Sequence, residues 1–151
     1  TGVMASIAAI LLKLARGTRG GLVLVTELSC LIVNAICCDQ YLAIILPGRM
    51  FKEAFEDRRL AHRCLSRCLE DSGTLTSNFF PWNTCGATMR SFLGVDSSYI
   101  PFAFLNYINP VISVFYGFTG INMTEMTEEE YQKVLEDREA EKKAALAAAE
   151  A

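Results

Sequence analysis

Residues 20–48 read GGLVLVTELSCLIVNAICCDQYLAIILPG, and the stretch carries only two charges, Glu27 and Asp39. A helix needs about 20 apolar residues to cross a hydrocarbon core about 30 Å thick, so this run is long enough. As one straight helix it would overshoot, reaching roughly 43 Å at 1.5 Å per residue. It must tilt or break. The polar cluster Cys37-Cys38-Asp39-Gln40 is where a break is expected, followed by a short apolar piece, Tyr41 to Leu46, before Pro47-Gly48. Helical phase agrees. Glu27, Cys30, Asn34, Cys38 and Tyr41 follow the spacing of one face, whereas Asp39 falls about 120° from Glu27 in an ideal helix.

Working outward, Ser97 to Thr124 carries no charge, Val3 to Leu12 is apolar until Lys13, and Phe79 to Val95 is interrupted by Pro81, Asn83, Gly86 and Arg90. Core helices of soluble proteins are usually amphipathic and about 10–14 residues long. The two long runs exceed that and show no clean polar face. Their interruptions are the Asn, Gly and Pro residues that membrane helices tolerate. The expected fold is an all-α membrane protein with helices at about 3–15, 20–47, 79–95 and 97–121. One of these is broken, and a re-entrant, hairpin-like segment lies between them. Residues 122–151 form a separate tail.

Charge supports that division: nine of the 17 acidic residues lie after Ile121, against four basic ones. The segment Arg49 to Arg67 holds six basic residues and three acids, which favours the cytoplasmic side. Lys13, Arg16 and Arg19 compete for that side. A net charge of −3 with no basic stripe gives no footprint for nucleic acid. The single histidine, His62, rules out chemistry that needs several imidazoles. The chain opens at Thr1 inside an apolar run, without the flanks of a signal peptide, and reads as the C-terminal part of a longer protein. The six cysteines suggest packing rather than a disulfide framework or a zinc site.

An ionisable group within a spanning segment is expensive unless paired or wet, and is therefore a functional candidate. Asp39 is the foremost: a carboxylate at a helix break can hold a proton or a hard cation such as Na⁺. Capping of a half-helix is its alternative role. Glu27 lies near the start of the run, at headgroup level or at functional depth. A second constellation, Glu70-Asp71-Ser72-Gly73-Thr74-Leu75-Thr76-Ser77-Asn78 with Asn83 and Thr84, concentrates side-chain oxygens, and Gly73, Pro81 and Gly86 make a continuous helix unexpected. Broken elements of this kind expose carbonyls to ions and helix N-termini to anionic groups. In Asn106-Tyr107-Ile108-Asn109-Pro110, the proline frees a carbonyl near Asn106, and the asparagines read as helix-to-helix connectors. Gly117 and Gly120 are expected to serve close packing.

Three motifs, Asp39 to Phe51 (DQYLAIILPGRMF), Leu69 to Ser77 (LEDSGTLTS) and Pro81 to Ala87 (PWNTCGA), occur in an order that resembles the C-terminal part of NhaC-type Na⁺/H⁺ antiporters. The likeness runs from about Glu27 to Phe118. It departs at Asn78, where proline is expected, in the Arg- and Cys-rich linker Arg58 to Cys68, and at Arg90. The resemblance implies one inverted repeat of a secondary transporter, Na⁺ and H⁺ as cargo, no cofactor, no enzymatic activity, and a multi-pass place in the plasma membrane. It implies the bilayer and the remainder of the transporter as partners. The residues expected to bind ion or substrate are Asp39, as the Na⁺ ligand, with Asn34, Gln40, Glu70, Asp71, Ser72, Gly73, Thr74, Thr76, Ser77, Asn83 and Thr84. Two other readings stay open: coupled carriage of an organic acid (malate- or lactate-like) or an amino acid on the same scaffold, and a non-transporting helical membrane protein.

In the tail, Thr127 and Glu130 form a capping box, Glu129/Lys133 and Glu139/Lys143 are favourable pairs, and Ala144 to Ala151 extends helix propensity. Without a strong apolar stripe, this helix is expected to be solvated.

Overall fold

The structure is a computed structural model that describes residues 17–150. The expected helix at 3–15 lies outside the described residues. Within them the chain is all-α, with one isolated antiparallel bridge between Leu60 and Glu125 and no strand. Helix α1 spans Arg19–Ile36, α2 Gln40–Glu56 and α3 His62–Leu69. A π-helical turn, Glu70–Thr74, and a 3₁₀ turn, Ser77–Phe79, follow. Next come α4 (Thr84–Leu93), a 3₁₀ segment (Ser97–Phe102), α5 (Phe104–Thr119) and the tail helix α6 (Glu128–Glu150).

Helix α1 starts where the Thr18 hydroxyl accepts from the Gly21 amide at 3.0 Å. It ends at Ile36, and the chain is extended at Cys37 and Asp39 before α2 begins. Of the face shared by Glu27, Cys30, Asn34, Cys38 and Tyr41, only the first three are buried; Tyr41 is 74% exposed beyond the break. Among the described residues, α1 is the one helix long and apolar enough to cross a membrane.

Several boundaries differ from those expected. The piece expected to stop at Leu46 continues through Pro47 to Glu56. Pro47 removes one helical hydrogen bond, to Ala43, but the turns beyond it bury Phe51 and Phe55 completely in the core with Leu22, Val23 and Leu65. The expected helix 79–95 shortens to Thr84–Leu93, because Pro81 precludes helix and the Asn83 side chain caps the Cys85 amide at 3.1 Å. The expected 97–121 divides into a 3₁₀ segment containing Pro101, capped by Asp96, and α5. Gly73, expected to interrupt helix, sits inside the π turn instead. There the added Cβ of any other residue would come within 3.1 Å of Ile44 Cγ1, so its small size lets the turn approach α2.

Helices α1 and α5 touch through small residues: a Cβ at Gly117 would meet Val23 Cβ at 2.9 Å. Gly120 does something else. Its φ of 73° and open surroundings show a left-handed helix terminator rather than a packing residue. The outer face of α5 leaves Phe104, Leu105, Ile108, Val111, Phe115 and Phe118 exposed.

Candidate functional site

Around the break between α1 and α2, open backbone carbonyls are met by one side chain and one backbone amide from the middle of the chain. The Ala35 carbonyl accepts from Trp82 Nε1 at 2.9 Å, and the Cys38 carbonyl from the Thr84 amide at 2.9 Å. The Asp39 carboxylate accepts from the Tyr41 amide at 2.8 Å and so caps α2. These contacts satisfy backbone groups that the break would otherwise leave open.

Asn34, completely buried on the last turns of α1, is the hub. Its Nδ2 donates to the Gly73 carbonyl at 2.8 Å and to Thr76 Oγ1 at 3.2 Å, while its Oδ1 accepts from Asn83 Nδ2 at 3.3 Å. The π turn is held from inside as well: Ser72 donates to the Cys68 carbonyl at 2.6 Å, and Thr76 to the Ser72 carbonyl. Such back-bonding by Ser and Thr loosens an α ladder, and π turns cluster at functional sites. Ser77 Oγ has two acceptors, Gln40 Oε1 at 3.2 Å and the Thr74 carbonyl at 2.7 Å, for its one proton.

Of the residues singled out from sequence, Asn34, Gly73, Thr76 and Asn83 form one network. Gln40, Thr74 and Ser77 form a second beside it. Ser72 supports the π turn, and Asp39 stands half-buried at the edge. Thr84 and Glu70 are exposed. Asp71 turns away, to Asn109 Nδ2 at 3.5 Å. Asn106 acts as the expected connector, donating to the Leu75 carbonyl at 2.6 Å and Asn78 Oδ1 at 3.0 Å.

Sequence reasoning passed over Ser113 and left Glu27 undecided, while Asn109, read as a connector, does join α5 to the π turn through Asp71. The available signal was the shared face of Glu27, Cys30 and Asn34. Among the described residues no group of three or more His, Cys, Asp or Glu side chains could hold a metal ion. The oxygens at the break are hydroxyl, amide, carbonyl and one carboxylate, a hard set that suits a weakly held monovalent cation.

Residues 1–121 match the Na⁺/H⁺ antiporter family. The chain belongs to that family. Among relatives of this antiporter-family chain, the Na⁺/H⁺ antiporter NhaC of Bacillus subtilis is 44% identical over 67% of this chain and 22% of its own length. The arginine/ornithine antiporter ArcD of Halobacterium salinarum is 41% identical over 82% of this chain and 25% of its own. The malate-2H⁺/Na⁺-lactate antiporter of Bacillus subtilis is 34% identical over 68% and 22%. The antiporter-family chain thus spans about a quarter of the length of the curated relatives it matches. No solved structure matches it. The family match stops at residue 121, so the tail helix lies outside it.

Proposed function

We propose that this chain is part of a secondary transporter that exchanges Na⁺ for H⁺ across the plasma membrane. The observation that carries the reading is the family match over residues 1–121, which takes in the whole polar centre around the break. Helix α1 is then a span, and the exposed apolar face of α5 meets lipid or the remainder of the transporter, which supplies the matching inverted repeat.

Asp39 is the exchanged carboxylate in this mechanism. From one side a proton neutralises it; from the other Na⁺ displaces the proton and is held with oxygens of Gln40, Thr74 and Ser77. Asn34, Thr76 and Asn83 keep the break and the π turn in register. Ser72, Gly73 and Thr84 hold the surrounding backbone, and Glu70 and Asp71 add negative charge that attracts cations. Because one carboxylate serves both ions, binding of one requires release of the other. Asp39→Asn in an intact transporter containing this sequence is expected to abolish Na⁺-dependent dequenching of a pH dye in everted vesicles. Unchanged exchange overturns the assignment.

The relatives named for malate/lactate and for arginine/ornithine exchange favour a second reading, in which an organic acid or amino acid is carried on the same scaffold. Uptake measured over a panel of such solutes separates the two. Recovery in the soluble fraction after carbonate extraction defeats both and leaves a helical interaction protein.

A further inference from the structure

Glu27 lies in the middle of α1, 3% exposed, and its Oε1 has no hydrogen-bond partner. The hydroxyl of Ser113 on α5, 2% exposed, has none either. Ser113 stands beside both Glu27 and Asp71. The Asp71 carboxylate is half-buried at the π turn and touched by Asn109. Three elements far apart in sequence thus bring together two carboxylates and a hydroxyl within reach of both acids. The one cation within electrostatic reach of both carboxylates, among the described residues, is Arg67. Two of its guanidinium nitrogens are engaged elsewhere, Nη1 donating to the Asn122 carbonyl at 3.4 Å and Nη2 reaching Met123 Sδ at 3.5 Å, and the group lies 5.4 Å from the centroid of Tyr116, while its buried Nε has no partner among the described residues. No ion pair joins it to either acid among the described residues.

A buried carboxylate oxygen left without a partner is costly, and folds retain one where a ligand or proton meets it. We propose that Glu27, Ser113 and Asp71 form a binding site for a hard monovalent cation, Na⁺, distinct from Asp39. The donors are oxygens. The two carboxylate charges less the single positive charge of Arg67 leave one negative charge, which matches a monovalent cation better than Ca²⁺, and the neighbouring thiols of Cys30 and Cys68 are soft partners that do not compete for Na⁺. Glu27 borders a cleft of about 280 Å³ between α1 and α5, whose other lining residues, Leu24, Leu28, Leu31, Pro110, Val111 and Val114, are apolar, so it is the one polar group there among the described residues. Roughly 14 Å of helix rise separate Glu27 from the end of α1 at Ile36, so one ion cannot touch Glu27 and Asp39 together. The site is a separate station. Its place on a transport route rests on the exchange reading above; Na⁺ binding does not.

The test uses the intact transporter in detergent, with NaCl against choline chloride as the probe, and reads thermal stabilisation by Na⁺. Everted vesicles made in parallel report the Na⁺ concentration for half-maximal exchange. Loss of one charged ligand is expected to raise the Na⁺ requirement about tenfold in Glu27→Gln, and loss of the hydroxyl about threefold in Ser113→Ala. Glu27→Asp should retain Na⁺ stabilisation. If Glu27→Gln does not fold, Ser113→Ala and Glu27→Asp decide. Na⁺ stabilisation unaltered in Glu27→Gln, or in Ser113→Ala where the former cannot be made, overturns the proposal. Absence of Na⁺-driven exchange in the parent, with Na⁺ stabilisation that still depends on Glu27, overturns the exchange reading and keeps this site.

Discussion

Glu27 and Glu56 are both buried glutamates, 3% and 1% exposed, in opposite surroundings. Glu56 ends α2 and is met from three sides. His62 Nε2 donates to Oε1 at 2.9 Å, Arg138 donates to Oε2 through Nε at 2.8 Å, and Lys52 Nζ lies 3.9 Å from Oε1. Glu27 meets no donor of this kind. A carboxylate enclosed by cations is an anchor, whereas one enclosed without them is a strained group whose partner must come from outside. The first ties two parts of the chain; the second holds a place open.

That contrast fixes the sign of the largest predicted effects. Glu56→Gln should destabilise the intact transporter by about 2 kcal/mol, because Arg138 and His62 lose a charged acceptor. Glu27→Gln, measured without Na⁺, should stabilise it by about 1 kcal/mol by removing a buried ionisable group with an unpartnered oxygen while weakening Na⁺ binding. Thermal unfolding of both variants in detergent checks the pair. Shifts of the same sign break the comparison.

A smaller effect tests what the Glu56 anchor holds. Arg138 on α6 also bonds Asp57 Oδ1 at 2.8 Å and the Glu53 carbonyl at 2.9 Å, while Arg59 pairs with Glu128 and lies over the Tyr131 ring. The half-buried face Tyr131, Val134, Leu135 and Arg138 has helical spacing, so the tail expected to be solvated is docked on the end of α2. Arg138→Ala should cost about 1 kcal/mol and accelerate protease cleavage beyond Thr127. Unchanged cleavage would show that Glu56 is paired without anchoring anything.

The smallest effect concerns a carboxylate that is paired but fully exposed. Glu130 accepts from the Thr127 amide at 3.0 Å, and this capping bond holds its pKa below the usual 4.5. A lowered folded value means that the contribution is complete above 4.5 and fades as pH falls through the lowered value. The first turn of α6 should then lose amide protection in acid, with Glu130 N–H, which donates to Thr127 Oγ1, reporting it. Protection independent of pH across that range removes the capping box from the account.

Much of the fold was legible in particular residues. The break at Cys37 to Asp39 could be read because a polar cluster interrupted a run too long for one span, and Asp39 offered a cap by residue type. The passage of α2 through Pro47 could not, because a local penalty was outweighed by burial of Phe51 and Phe55 against distant helices. The dock of the tail was equally hidden. It depends on Arg138 meeting Glu56, and charge pairs across 82 residues leave no periodic trace.

At the candidate site, residue type alone named Asn34, Gln40, Asp39 and the Ser72 to Ser77 segment, since hydroxyl and amide groups are conspicuous inside apolar runs. Which of them touch was decided by tertiary structure. Local pattern determined that this chain is helical, where its first long run divides, and that its few polar residues are the ones to examine. Only the packing of α1 against α5 and the π turn decided that Asn34 is fully bonded and Glu27 is not. Hydrogen bonding and desolvation depend on what surrounds a side chain in space, and neither is written in its neighbours along the chain.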